Sequence, residues 1–509
     1  MLDIMGCGRA ARHPARAIAA ALLVACAVAL SSCGGHSIGP SPDIEPSLAP
    51  RLQPILSGAP LPSPWKYRPD GGTASYRLSL IAVEAGSALP DRPNTAFALC
   101  GTEYRAAAVG LSDARWSVDR AGAEKIGLEP LDAILPPRRA LAVEGEWPPS
   151  AAYPFARSLY LSVSSRDGRE PPLELARWLH EAAAKAAAAD RAPLRLAAVG
   201  DIQIGEAQGG ALLGGGAGLE RLVAPSILAR LRSADIAVAN MESPVSSRGE
   251  PNPRKRYHFR LPKGASAAFK DAGFDLVLFG NNHAFDYGLE AFDDTLADLE
   301  CAAMPMVGAG RNAEEASRAR VLEAKGRERL AFVGFAFFPQ ERSGFSKEEA
   351  AAGSERPGIA IDDSAAIAAI RSAAAAGDTV VVLAHGGAEY RSRPSDEARK
   401  LYARFADAGA ALVIGSHTHL LQGCAARSGS LIAYSLGNFL FTLGDEPPEA
   451  YPSAVLEFLV YKGKVRGLLP YPVVAGFYDT PPDADAESAR RRFSRLSADI
   501  EALPALTGP

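Results

Sequence analysis

Cysteine is scarce in this chain. Six occur in 509 residues, and Cys7, Cys26 and Cys33 fall near the start. Cys100, Cys301 and Cys424 are left for the body, and an odd number cannot close a complete disulfide framework. No Cys-x-x-Cys pair or Cys–His cluster suggests a zinc site of the finger type. A charge excess is also missing. The 54 basic and 58 acidic residues leave a net charge of −4, which argues against nucleic acid as a partner because such proteins normally carry a basic surplus. Histidine is limited to eight residues, so its placement is informative. What is plentiful is proline (39) and glycine (48), which predicts many turns and loops.

Near the N-terminus, Arg9, Arg12 and Arg16 precede the apolar run Ala17–Leu30. A basic start followed by an apolar stretch too short for a typical membrane-spanning helix is a secretory signal pattern. The next residues, "LSSC" (Leu30–Cys33), resemble the lipobox of bacterial lipoproteins, which implies a signal peptide over residues 1–33, lipidation at Cys33 and an exported protein anchored to the lipid membrane of the cell envelope. Residues 34–65 are rich in Pro, Ser and Gly, a composition expected for a tether.

Residues 66–190 predict a small α/β domain. "YRLSLIAVE" (Tyr76–Glu84) and "RSLYLSVSS" (Arg157–Ser165) are expected strands, and Pro172–Ala189 an alanine-rich helix. Its stretch "YPFARSLYL" loosely resembles the closing part of phosphate-type periplasmic solute-binding proteins, so the domain is expected to be a remnant of one or an accessory domain.

From residue 191 to about 475 short apolar runs alternate with helical segments, which predicts an α/β fold with sheet buried on both faces. "SAVLEFLVYKGKVRGLLPYPV" (Ser453–Val473) predicts a hairpin turning at Lys462-Gly463, and residues 476–509 a peripheral tail. The polar residues that follow the runs are Asp201 after "AAVG", Asn240 and Glu242 after "AVA", Asn281, Asn282, His283 and Asp286 after "LVLFG", His385 after "VVVLA", and His417 and His419 after "ALVIG". Sites in α/β sheets form beyond the carboxyl ends of strands. Oxygen and imidazole donors together suit Mn, Fe or Zn better than Ca. On an extended segment, His417 and His419 would point the same way, to one metal or to one each of a pair. Singly, these residues have plainer readings: His385 as a hydrogen-bonded strand-end histidine, Asn282 and Asp286 as helix caps, and Asn438 as a turn stabiliser.

The series "VGDIQIG", "ANMESPVS", "GNNHAFDYG", "AHGGAEY", "GAALVIGSHTHLLQG" and "IAYSLGNFLF" resembles, in this order, bacterial capsule-synthesis proteins of the CapA type, implicated in poly-γ-glutamate production and related to calcineurin-like metallophosphoesterases. The resemblance implies a four-layer α/β/β/α sandwich over residues 191–475. It implies a metal shell of Asp201, Glu242, Asn282, His385, His417 and His419 holding one or two divalent ions. His283 would be the acid or transition-state stabiliser, oriented by Asp286. Phosphoesterases have a histidine where this chain has Gln203, which puts the second ion and the phosphoesterase chemistry in question. Arg254, Lys255, Arg256 and Arg260 form either an anion-binding patch or a solvated basic loop; Arg256, His258, Asn240 and Asn438 are candidate substrate contacts. The function implied is a metal-dependent, hydrolase-type site acting on an anionic polymer or phosphoester alongside other capsule-synthesis or export proteins. The rivals are a non-catalytic polymer-binding protein and a solute-binding lipoprotein.

Overall fold

The computed structural model describes residues 37–503 other than 42–43, 46–47, 60, 64, 68–73, 85–86, 91, 93–94, 144–146, 148–152, 206–217, 325–327, 443–450 and 476–485. The signal and Cys33 lie outside the described residues. No helix among those described is long and apolar enough to cross a membrane. The fold is mixed α/β, in two compact units: the chain up to Tyr104 with Phe155–Asp190, and Arg105–Pro154 with the chain from Arg191 onward.

The smaller unit contains β1 (Ser37–Pro40), α1 (Ala49–Gly58), β2 (Lys66–Tyr67), β3 (Tyr76–Glu84), the first part of β4 (Thr95–Gly110), β5 (Ala156–Ser165) and α2 (Leu173–Ala189). Both expected strands and the expected helix are present. β5 lies antiparallel to both β3 and β4. Leu175, Trp178 and Leu179 of α2 bury against this sheet with Leu78, Leu80 and Leu161. Part of the stretch read as a tether joins the same core. Ile38, Leu48, Leu52 and Trp65 are buried in it, and Trp178 Nε1 donates to Ala59 O at 2.8 Å. A few large apolar residues between the prolines suffice to dock it, although its average composition is that of a linker.

Residues 105–154, expected with the small domain, pack with the larger unit. Strand Arg138–Ala140 pairs with the Lys464–Ala475 strand at Ala140 and Gly467, and Arg466 Nη1 donates to Ile134 O at 2.9 Å.

Two sheets organise the larger unit. In the first, β6 (Leu194–Ile204), β7 (Ile236–Met241), β8 (Leu276–Leu278) and β9 (Met306–Val307) run parallel. In the second, β10 (Arg320–Glu323) lies antiparallel to β11 (Arg329–Ala336), which runs parallel to β12 (Thr379–His385) and β13 (Ala410–Ser416); the short strand β14 (Cys424–Arg427) forms the edge, antiparallel to β15 (Ser430–Ala433), which pairs in parallel with β13. Helices cover one face of each sheet. Ile227, Leu231, Phe269 and Phe292 pack on Ala197, Val199 and Ala239 of the first; Ile370, Tyr402 and Phe405 pack on Val380, Val382 and Val413 of the second. The alternate strand residues, Leu196, Ala198, Val381 and Leu412 among them, are buried too, so both faces are covered and the strands are apolar throughout.

β6 changes partner along its length. Its first half pairs antiparallel with β17 (Tyr451–Tyr461), and from Asp201 onward it pairs parallel with β16 (Asn438–Thr442). Gly200 sits at the switch, where any Cβ would collide with Gly437 O; only glycine lets the two backbones come this close. β17 and β18 (Lys464–Ala475) form the expected hairpin, with Lys462 and Gly463 both at positive φ (49° and 71°), as a tight two-residue hairpin turn requires. The C-terminal stretch contains a helix, Ala486–Glu501, that buries Phe493 and Ile500 and whose Ser497 Oγ accepts from Cys424 N at 3.0 Å. Cys100 and Cys424 are buried, Cys301 is exposed, and all three are free thiols.

Candidate metal centre

The parallel strands of both sheets end at one place, and the polar residues beyond those ends meet there. Asp201 lies in β6, Glu242 just past β7, Asn281 and Asn282 past β8, His385 at the last position of β12, and His417 one residue past β13. All six are buried.

Glu242, His385 and His417 each direct a donor atom into a common space, the three atoms lying within 4.8 Å of one another. His385 Nε2 is 2.9 Å from Asn282 Oδ1, 3.1 Å from His417 Nδ1 and 3.3 Å from Glu242 Oε1. One imidazole nitrogen cannot satisfy three such neighbours with one proton. Neither carboxylate oxygen of Glu242 has a hydrogen-bond partner. Burying an unpartnered carboxylate is costly unless a cation neutralises it. Desolvation, reinforced by the Asp201 charge, accordingly raises the Glu242 pKa well above its ordinary value. Desolvation and the other histidines hold His385 and His417 well below the usual imidazole range, so both stay neutral donors. Ser416 Oγ, 3.1 Å from His385 Nδ1 and itself donating to Ala384 O, can accept from an Nδ1–H. That tautomer leaves the Nε2 lone pair for a cation. The donor set fits a divalent transition metal.

Asp201 and His419 lie beside this group and are held by hydrogen bonds. Asp201 Oδ1 accepts from Asn240 Nδ2 at 2.8 Å and Oδ2 from the His417 backbone at 3.0 Å. His419 Nδ1 pairs with Asn438 Oδ1 at 2.8 Å. Gln203 Oε1, at the position of the absent histidine, is buried without a partner. Asn240 is anchored by Asn281 Nδ2, and its own Nδ2, which donates to Asp201 Oδ1, lies 3.1 Å from His385 Nδ1.

The His417–His419 segment is not extended, contrary to the expectation above. φ is 87° at His417 and 62° at His419, a left-handed conformation that costs a non-glycine residue about 1–3 kcal/mol and collects at functional sites. The bend past β13 sends the rings to different neighbours, their centroids 6.3 Å apart.

His283 and Asp286 form a second feature. His283 Nδ1 lies 2.8 Å from Asp286 Oδ2, which also accepts from Phe259 N at 2.8 Å. The Phe259 ring stands edge-on to His283 at 4.8 Å. An Nδ1–H donated to Asp286 leaves Nε2 to accept or hold a proton.

The basic stretch does not gather as a patch. Lys255 turns inward, fully buried, 3.3 Å from Asp286 Oδ1 and 2.5 Å from Glu341 Oε1, and donates to Asn282 O at 2.8 Å. Arg254 pairs with Glu349, Arg256 lies over the Tyr257 ring, Arg260 lies over Tyr287, and His258 Nε2 meets Asn252 O at 2.8 Å. Sequence reasoning named Asn281 at its strand end without giving it a role, passed over Glu341 and Glu389, and gave Lys255 no individual role. Asn281 and Glu389 do lie inside quoted motifs ("GNNHAFDYG", "AHGGAEY"), whereas nothing in the sequence flags Glu341.

Residues 195–443 match the family model "Bacterial capsule synthesis protein PGA_cap". That segment belongs to the bacterial capsule synthesis protein family. Similar proteins include the PGA biosynthesis protein CapA of Bacillus subtilis, 32% identical over 215 residues (42% of this chain, 55% of that protein). The capsule biosynthesis protein CapA of Bacillus anthracis is 31% identical over 217 residues (42% and 52%). A probable polyglutamine synthesis accessory protein of Mycobacterium tuberculosis is 29% identical over 214 residues (40% and 55%). The chain thus spans about half the length of the curated relatives it matches. The crystal structure of TT1561 of Thermus thermophilus aligns with 53% of this chain and 99% of its own at 12% identity, with a TM-score of 0.29, too slight a likeness to bear on fold or function.

Proposed function

We propose that residues 191–475 form a four-layer α/β/β/α domain carrying a divalent-metal site of hydrolase type, used in the synthesis, export or retention of an anionic capsular polymer such as poly-γ-glutamate. The observation that carries this reading is the buried, unpartnered Glu242 carboxylate facing two neutral imidazoles. Glu242, His385, His417 and the Asn282 carbonyl would hold the cation, with Asp201 and His419 as ligands of a weaker second position. When bound, the ion supplies Lewis-acid charge to a substrate oxygen. His283, its Nδ1 fixed by Asp286, donates a proton from Nε2 to the leaving group. Asn438, which fixes His419, is proposed to help align the substrate. In this reading the protein is exported and anchored at the cell envelope through Cys33, and residues 66–190 do not hold the metal.

The test is metal content beside hydrolysis of phosphodiester and peptide substrates. His283→Ala should keep the metal and lose about 10²–10⁴-fold in rate, the usual contribution of a positioned acid. Loss of metal from that variant would remove His283 from the acid role. The second reading, a polymer-binding protein without turnover, is favoured by Gln203 in place of the phosphoesterase histidine; a metal-loaded protein with no hydrolysis of any substrate would select it.

A further inference from the structure

Glu389 belongs to none of the roles above, yet its carboxylate faces the centre. His417 turns Nδ1 toward His385 Nε2, 3.1 Å away. Its other nitrogen, Nε2, is buried with no hydrogen-bond partner, and Glu389 Oε1 stands 3.8 Å from it. An imidazole that ligates through one nitrogen carries its proton on the other, and that proton needs an acceptor.

The backbone around Glu389 is fitted to the histidine segment at several points. Gly386 N donates to Ser416 O at 3.3 Å and Tyr390 N to Thr418 O at 2.9 Å; Gln422 Nε2 donates to Arg391 O at 2.8 Å. The Tyr390 ring stacks on His419, centroids 4.9 Å apart and planes 23° apart. Tyr390 has a φ of 54°, so it shares the left-handed conformation of the two histidines it lies against. One loop therefore meets the outer side of both imidazoles, with a carboxylate at the first and a ring at the second.

We propose that Glu389 is a positioning residue of the metal centre: its carboxylate accepts the Nε2–H of His417 and so presents Nδ1 as the ligand atom. The distance to close is about 1 Å beyond a hydrogen bond, within reach of a side chain that is 45% exposed. This inference rests on the metal-site reading proposed above.

The experiment is Co²⁺ titration of the purified protein, following its visible ligand-field absorption, for wild type, Glu389→Gln and Glu389→Ala, with metal-free melting temperatures as a folding control. Glu389→Ala should weaken Co²⁺ binding about 10–100-fold, the usual effect of losing an acceptor behind a ligating histidine, and should shift the absorption bands. Glu389→Gln, which keeps an acceptor oxygen, should recover part of the affinity. Metal-free melting should be nearly unchanged in both. Affinity within about twofold of wild type in both variants, with unchanged bands, overturns the inference and leaves the metal site standing. Equal loss in both variants, beyond about 1,000-fold, also overturns it, because Glu389 would then be a direct ligand. A wild type that binds no Co²⁺ defeats the metal-site reading and this inference with it.

Discussion

The two halves of the site contain similar residues in different states. Around His385, the donors of Glu242, His417 and Asn282 crowd one nitrogen, and Glu242 has no hydrogen bond. Around Asp201, both carboxylate oxygens are engaged, and His419 is paired with Asn438. The first half is in conflict unless a cation enters it. In the second, the Asp201 carboxylate and His419 Nδ1 are engaged by hydrogen bonds, and the unpartnered atoms are the neutral amides of Gln203, which stands where another imidazole would be needed, and Asn438. Spacing along the chain cannot distinguish these cases. What separates them is which buried polar atoms lack partners.

Several substitutions would break or sharpen that contrast. The largest effect is expected from His385→Ala and His417→Ala. Each removes a proposed ligand and should weaken metal binding by more than the roughly 10–100-fold that changes behind a ligand cost, whereas His419→Ala and Asp201→Asn should weaken it less. Equal losses across all four, by equilibrium dialysis, would erase the distinction between the halves. Chelation should come next. At metal concentrations about 100-fold above Kd, bound ion contributes about 2.7 kcal/mol, so removing it should lower the melting temperature by several degrees in wild type and leave His385→Ala unmoved.

Glu242→Gln should have opposite effects with and without metal. It should lose the ion, yet the metal-free variant should be about 1–3 kcal/mol more stable than metal-free wild type at neutral pH, because a buried unpartnered charge is removed. The Glu242 pKa is raised by desolvation, so wild type increasingly suffers as pH rises above the normal carboxylate range. The advantage of the variant should therefore vanish as pH falls into that range, where the wild-type side chain is neutral in both folded and unfolded states. Denaturant melts at several pH values check this. The smallest effect on metal is expected from Gly200→Ala. A Cβ there collides with Gly437 O, and overpacking of this kind costs about 1–3 kcal/mol. It strains the Asp201–Asn438 side, so stability should fall while binding at the Glu242 side persists.

Much of this arrangement was legible in the sequence. The apolar runs became the strands of both sheets, and several of their polar sequels are buried close together beyond the strand ends, where sites form in α/β sheets. The Lys462-Gly463 turn also followed from local chemistry. What could not be read depends on tertiary contacts. Leu48, Leu52 and Trp65 dock a proline-rich stretch whose average composition resembles a linker. The positive φ at His417 and His419 is not readable from the "SHTH" residues, none of which is the glycine that this conformation favours. Lys255 read only as one of four basic residues of an anion-binding patch or a solvated loop, and the positions of Asp286 and Glu341 turn it inward.

The asymmetry of the centre is tested most directly by counting ions. Purified wild-type protein, equilibrated with Mn²⁺ or Zn²⁺ and dialysed, should retain one ion per chain by elemental analysis, and Gln203→His should retain a second at the same free concentration. Two ions of equal affinity in wild type, or none at all, would contradict this account.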